Sequence, residues 1–454
     1  MNKILSYTVL MAATLSLGSC VSEEDDIFDK TAAERLNEAS ALYSSRLEAS
    51  PYGWAMQLYP TYDNAKYFGT GYLLLMDFDA NHSVKVGMNN ALSFDNYLED
   101  VSTWDVITDN GPVLSFSSYN QCLHAFSNPE DLPFTSERGE NEQGTGIGGD
   151  YEFIIVDAPE DASYMMLKGK KRGTYNLLTP LQEGVVFKDY LAEINEFSTL
   201  MFGNNILEPD VLHMGDAKYR FADAADGVPA IYPYDGDEVT QSLFNPFLIT
   251  KRDGKFYLRF RDELTLNEET VQDFCYDEAQ DRFVSVDNDN CYLEGPAPLP
   301  FFVKSLNEDN KRWIWTPTSA VSESHQALLD GVNSVFASKK GSLRTVSLRN
   351  LGGQITLRIT YKTKNDTNLD YKFTLSQEGE TVKLTYVEPA SNSATNLYNN
   401  YAEIKALVDG MSRTYNVEGG TTNFDLHQIK LIGADDVTFW FVADTNSYNY
   451  HVYY

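Results

Sequence analysis

From about residue 54 onward apolar residues recur at every second position in run after run, and this period constrains the fold more than any other feature. Val84, Val86 and Met88 alternate with Ser83, Lys85 and Gly87, while Phe256, Leu258 and Phe260 alternate with Tyr257, Arg259 and Arg261. Ile355, Leu357 and Ile359, and then Val382, Leu384 and Tyr386, repeat the pattern. Successive side chains of a strand point to opposite faces, so each run lays one face on a core and leaves the other wet. Asn110-Gly111 and Asp253-Gly254 sit where tight hairpins need positive φ. Tyr72 to Phe78 reads as a buried strand, and further strands are expected at Tyr151 to Val156 and Tyr164 to Lys168.

Helices are fewer. Ala32, Leu36, Ala39, Tyr43 and Leu47 recur at steps of three and four, and Thr31 with Glu34 forms a capping-box pattern. Pro51 and Gly53 end that helix, and Trp54, Met56 and Leu58 open a strand. Two more helices are expected at Val186 to Phe202 and Glu323 to Phe336. The fold class is therefore α+β, mainly antiparallel sheet in meanders, and the order helix then meander occurs twice.

A chain of 454 residues is long for one core and suggests two similar-sized domains. The pattern weakens between Gly203 and Gly227, which divides an N-terminal helix-plus-meander domain, 30–205, from a β-rich C-terminal domain with two helices, 206–454. Pro296, Pro298 and Pro300 mark a second break, Arg138 to Gly149 reads as a polar, glycine-rich loop, and Tyr448 to Tyr454 reads as a last strand.

Residues 1–19 have one cation, Lys3, and an apolar run from Ile4 to Leu17, which is a secretory signal. That run is shorter than the ~20 residues a spanning helix needs. Leu17-Gly18-Ser19-Cys20 resembles a bacterial lipobox, which implies diacylglycerol on the Cys20 sulfur and cleavage before it. Each buried methylene contributes roughly 0.8 kcal/mol, so two or three acyl chains hold the protein on outer-membrane lipid without any protein contact. Residues 20–29 form an acidic tether, in which Ser22-Glu23-Glu24-Asp25-Asp26 resembles the export tag of surface-displayed Bacteroidetes lipoproteins.

Sixty-six acids against 35 bases give a net charge of -31, a surface that repels phosphate backbones and excludes nucleic acid as a partner. Cations, basic peptides and neutral sugars are not disfavoured. Cys122, Cys275 and Cys291 remain after Cys20; Cys275 and Cys291 either pair across a hairpin or stay free.

Motifs for chemistry are weak. Gly144 to Gly149 matches G-x-G-x-x-G, but a strand follows it where a nucleotide site needs a helix. The stretch from Asp77 begins like a calcium loop and then places His82 where glycine belongs. The runs from Asp235 and Asp287 suit turns or a calcium ion, so calcium is an unplaced expectation and no other cofactor is implied. The six histidines, at 82, 124, 213, 325, 427 and 451, are scattered singly, which offers no zinc site, and no serine sits in a G-x-S-x-G elbow. Trp313 and Trp315 lie two apart in "RWIWTP", hence on one face of a strand. Exposed, they make a stacking platform for sugar rings; turned inward, they fill a core.

Four stretches, "DDIFDKTAAERL" from Asp25, "SPYGWAMQLYP" from Ser50, "GYLLLMDFD" from Gly71 and "LKGKKRGTYNLLTPL" from Leu167, resemble a family of Bacteroidetes lipoproteins that carries a domain of unknown function. The resemblance implies an outer-membrane protein facing the cell exterior that captures a glycan or peptide for a TonB-dependent transporter. It nominates no catalytic residue. A surface hydrolase acting on glycans through paired carboxylates is the alternative expectation.

Overall fold

The computed structural model describes residues 30–63, 69–109, 111–128, 146–203, 207–308, 311–434 and 437–444. Cys20, the acidic tether, Asn110, residues 138–145 of the glycine-rich loop and the Tyr448 to Tyr454 stretch lie outside them.

Helix α1 (Ala32–Glu48) starts on the expected capping box, Thr31 Oγ1 accepting from Glu34 N while the Glu34 carboxylate accepts from Thr31 N. It lies across a closed eight-stranded meander of β1 (Trp54–Leu58), β2 (Tyr72–Phe78), β3 (Ser83–Met88), β4 (Leu98–Thr108), β5 (Pro112–Phe116), β6 (Glu152–Asp157), β7 (Met165–Gly169) and β8 (Tyr175–Pro180). The ring closes where β1 pairs with β8, Trp54 opposite Pro180. Trp54, Met56 and Leu58 point into the barrel with Tyr72, Leu74, Met76 and Phe78, while Ala55, Leu73 and Leu75 point out into a second core. This is why Tyr72 to Phe78 is apolar at nearly every position: the strand is buried on both faces. Helix α2 (Gln121–His124) follows β5.

Helix α3 (Phe187–Phe202) spans the stretch read as the second helix and packs against a second sheet. That sheet holds β9 (Asp210–Met214), β10 (Ala217–Ala222), β11 (Ala230–Pro233), β12 (Leu243–Phe244), β13 (Phe247–Arg252), β14 (Lys255–Leu266), β15 (Glu269–Asp277), β16 (Arg282–Ser285) and β17 (Cys291–Glu294). Its order is β12-β11-β10-β9-β17-β16-β15-β14-β13. The two edge strands are consecutive in the chain, joined by Asn245 and Pro246 alone, so the sheet curls until its edges are neighbours. Asp253 and Gly254, both at positive φ, turn the β13–β14 hairpin as expected. The pattern is weak between Gly203 and Gly227 because β9 is buried on both faces and includes Asp210 and His213.

The proline cluster is not only a break: Pro298 opens helix α4 (Pro298–Asn307), since a proline in the first turn lacks no hydrogen bond the helix needs. The last sheet is again a closed eight-stranded meander, β18 (Arg312–Trp315), β19 (Ser342–Leu351), β20 (Gln354–Lys362), β21 (Asp366–Glu378), β22 (Thr381–Pro389), β23 (Thr414–Glu418), β24 (Gln428–Gly433) and β25 (Thr438–Ala443). Helices α5 (Glu323–Ser338), α6 (Asn392–Asn400) and α7 (Ala402–Gly410) pack into its core. Residues 206–454 thus carry two sheets, and the whole is mainly antiparallel β with a minority of helix.

Candidate functional site

The tryptophan pair is inside the third sheet. Trp313 is 0% and Trp315 6% exposed, with Phe301 and Phe302 each 5.9 Å from the Trp313 ring and Ser305 Oγ accepting from its indole N–H at 2.9 Å. An exposed stacking platform at Trp313 and Trp315 is therefore corrected to a core pair: the alternation puts both on one face, and barrel closure turns that face inward. Cys122, Cys275 and Cys291 are free thiols; β16 lies between the strands of Cys275 and Cys291, so the two are not hairpin partners.

The exposed aromatic row lies on the first barrel. Tyr119, His124 and Tyr151 stack in sequence, centroids 5.1 and 5.2 Å apart with planes tilted by 33° and 22°. Tyr119 is 54% and Tyr151 47% exposed. Asn120 builds the corner that holds them. Fully buried, its Oδ1 accepts from Cys122 N and Leu123 N, and its Nδ2 donates to Asp100 O and Ser102 Oγ. Its backbone N–H donates to His124 Nδ1 at 3.0 Å, which leaves the ring's proton on Nε2. Burial lowers the His124 pKa, so the ring is neutral at pH 7. Exposed hydroxyls of Thr103, Ser117 and Ser118 hydrogen-bond one another beside the row, each pair with Thr103 at 2.9 Å. Flat apolar faces beside hydroxyl donors and acceptors match the C–H faces and hydroxyl rims of a sugar.

Tyr151 is held by its neighbour. The buried Asp150 carboxylate accepts from Lys171 N at 3.1 Å and Arg172 N at 2.9 Å. A Cβ at Gly169 would lie 2.2 Å from Asp150 Oδ2, so any larger residue there would push the carboxylate off its two backbone donors, which explains part of the "LKGKKRG" stretch.

Two clefts flank α3. One, of about 590 Å³, is lined by Asn89, Asn90, Asn195 and Ser198 with Asp95 and Asp226. The other, about 630 Å³, carries Glu183, Asp189, Glu193, Lys251 and Asp253. The helix is pinned on both sides: Asn195 Nδ2 donates to Asn89 O at 3.0 Å, and Tyr190 Oη donates to Lys251 O at 2.8 Å. The acidic runs serve turns. Asp79 Oδ1 accepts from Asn81 N, Asn288 Oδ1 from Asn290 N, and Asp237 caps a single helical turn. Among the described residues no three His, Cys, Asp or Glu side chains converge on a metal position, and no helix is long and apolar enough to cross a membrane.

Sequence reasoning missed the ring row because its members belong to a loop, a short helix and a strand start. The readable signal is an asparagine cap, "YNQC", between two aromatic positions.

No curated protein matches the chain. Among solved structures, a double mutant of the vaccine antigen transferrin binding protein B from Haemophilus parasuis Hp5 is 9% identical over 86% of this chain and 74% of that one, with a TM-score of 0.13. A single mutant of the same antigen is 10% identical over 76% and 73%, with a TM-score of 0.14. Similarity this slight carries no functional content. A family model described as a domain of unknown function (DUF4302) matches residues 24–278, which takes in α1, the first barrel, the ring row, both clefts and the second sheet as far as β15. The chain belongs to the DUF4302 family.

Proposed function

We propose that the protein is a non-enzymatic capture protein, lipid-anchored through Cys20 to the outer membrane and facing the cell exterior, which binds an extracellular glycan and passes it to a TonB-dependent transporter. The observation that carries the reading is the exposed row of Tyr119, His124 and Tyr151 beside the Thr103, Ser117 and Ser118 hydroxyls. A neutral ring row on a protein of net charge -31 favours neutral ligands over polyanions. A peptide is the second ligand class such a surface serves. The Bacteroidetes setting and the anchor are supported by the lipobox-like stretch and the acidic run after it.

The test is a screen of residues 21–454 on glycan and peptide arrays, in parallel with incorporation of labelled palmitate into the full chain. Binding to a set of related neutral glycans, and palmitate uptake that Cys20→Ser abolishes, are expected. Silence on both arrays contradicts capture, and palmitate uptake independent of Cys20 contradicts the anchor.

The alternative, hydrolysis by paired carboxylates, has one observation in its favour: Asp95 and Asp226 line the same cleft.

A further inference from the structure

We infer that the outer wall of the third sheet carries an oxyanion site centred on Arg349. The site is independent of the ring row and lies beyond the residues that the family model matches.

The inference starts from a charge arrangement that is unfavourable as it stands. Strand pairing sets Arg349 of β19 directly opposite Arg312 of β18, and Arg358 of β20 opposite Ser347, one diagonal away. Like charges directly opposite on a sheet repel. Two of the three guanidinium groups have a carboxylate of their own. Arg358 forks onto Asp370, Nε to Oδ1 at 2.6 Å and Nη2 to Oδ2 at 2.8 Å, and Arg312 pairs with Asp444.

Arg349 has none. Its Nε and Nη2 both donate to one hydroxyl, Ser347 Oγ, at 3.0 and 2.7 Å, and among the described residues no carboxylate stands within ion-pair distance. The hydroxyl is sealed beneath, Ser347 being 0% exposed, and the guanidinium is half-buried. Burial first, then Arg358 and Arg312, bring the Arg349 pKa down to about 10, while Asp370 and Asp444 act in the opposite sense. Two acids stand close, Asp370 and Asp444, and each is taken up by a neighbouring arginine, so three guanidinium groups share two carboxylates. Beyond it lies Lys372, which faces Thr356 across β20 and β21, with Thr356 itself opposite Arg349; Lys372 is paired with Glu388 at 2.8 Å. A planar fork whose Nη1 has no acceptor among the described residues, in a cluster with one guanidinium more than it has carboxylates, matches a carboxylate or sulfate.

The ligand class is thus a small oxyanion, supplied as a free anion or as the acidic group of a sugar. The experiment titrates residues 21–454 by calorimetry with sodium sulfate, sodium glucuronate and glucose at matched ionic strength. Saturable binding of sulfate, glucuronate or both is expected, with glucose silent at this site; glucuronate binding tighter than sulfate assigns the acidic sugar as the source, and the reverse assigns the free anion. Arg349→Gln weakens binding at least tenfold, and Arg349→Lys, which keeps the charge and loses the fork, weakens it less. Arg344→Gln, an exposed arginine on the same strand, leaves it unchanged. Equal binding by wild type, Arg349→Gln and Arg344→Gln, or no saturable binding of either anion, overturns the site.

Discussion

Trp54 and Trp313 hold the same position in two different barrels. Each lies on the first strand, each is at most 1% exposed, and each donates its indole N–H back to the helix just before it, Trp54 to Leu47 O at 2.8 Å and Trp313 to Ser305 Oγ at 2.9 Å. Each barrel thus has a first strand latched to its lead-in helix; in the third sheet that helix is α4, whereas the expected helix from Glu323 lies between β18 and β19.

The latch predicts graded costs. Trp54→Phe keeps most of the buried ring and leaves the Leu47 carbonyl without its donor, a loss of about 1–2 kcal/mol. Trp54→Ala adds a cavity and costs about 3–5 kcal/mol. Trp313→Phe and Trp313→Ala follow the same order. Urea unfolding curves for the four variants measure this, and equal losses for Phe and Ala at either position contradict it.

Much of the wall of each barrel was legible in the alternation, because one face of most strands meets the core and the other meets water; β1 and β2, buried on both faces, are exceptions. What alternation does not encode is closure. Trp54 meets Pro180 across the β1–β8 seam, a pairing between residues far apart in the chain that no local pattern announces. Period two also places Trp313 and Trp315 on one face without saying which, since Ile314 makes the other face apolar too. Helix α4 was hidden because prolines read as breakers, although Pro298 only starts it. The ring row left only the Asn120 cap as a signal, because Tyr119, His124 and Tyr151 meet around that corner and share no period.

That corner yields a second prediction. Asn120→Ala removes a helix cap and two further side-chain hydrogen bonds in a buried setting, at a cost of about 2 kcal/mol. Glycan affinity falls with it, because Tyr119 and His124 lose their common support. Thermal unfolding and calorimetry on the same sample check both; a variant with normal affinity shows that the corner does not position the rings.

His325 predicts a pH dependence. It is fully buried against Phe439 and Phe441, its Nδ1 accepts from Trp440 N at 3.2 Å, and its Nε2 has no partner among the described residues. Burial lowers its pKa to about 4 from 6.5. The unfolded chain therefore takes the proton first as pH falls, so the stabilisation is complete above pH ~6.5 and is lost progressively towards pH ~4, by about 3 kcal/mol. His325→Asn keeps an acceptor for Trp440 N and flattens that slope. Denaturation midpoints between pH 4 and 7 measure it; identical slopes in both proteins contradict the assignment.

Capture without chemistry predicts that the purified protein releases no new reducing ends from any glycan it binds. Release that disappears in Asp95→Asn or Asp226→Asn would move the account to hydrolysis in the cleft those residues line.

The central claim is that the exposed rings on the first barrel hold the ligand. Its most direct measurement is the affinity of the tightest array glycan for wild type and for Tyr119→Ala with Tyr151→Ala, by calorimetry at neutral pH. Each ring contributes about 1 kcal/mol of stacking, so the double variant binds roughly thirtyfold more weakly while its unfolding midpoint is unchanged. Unchanged affinity in the folded double variant contradicts the account.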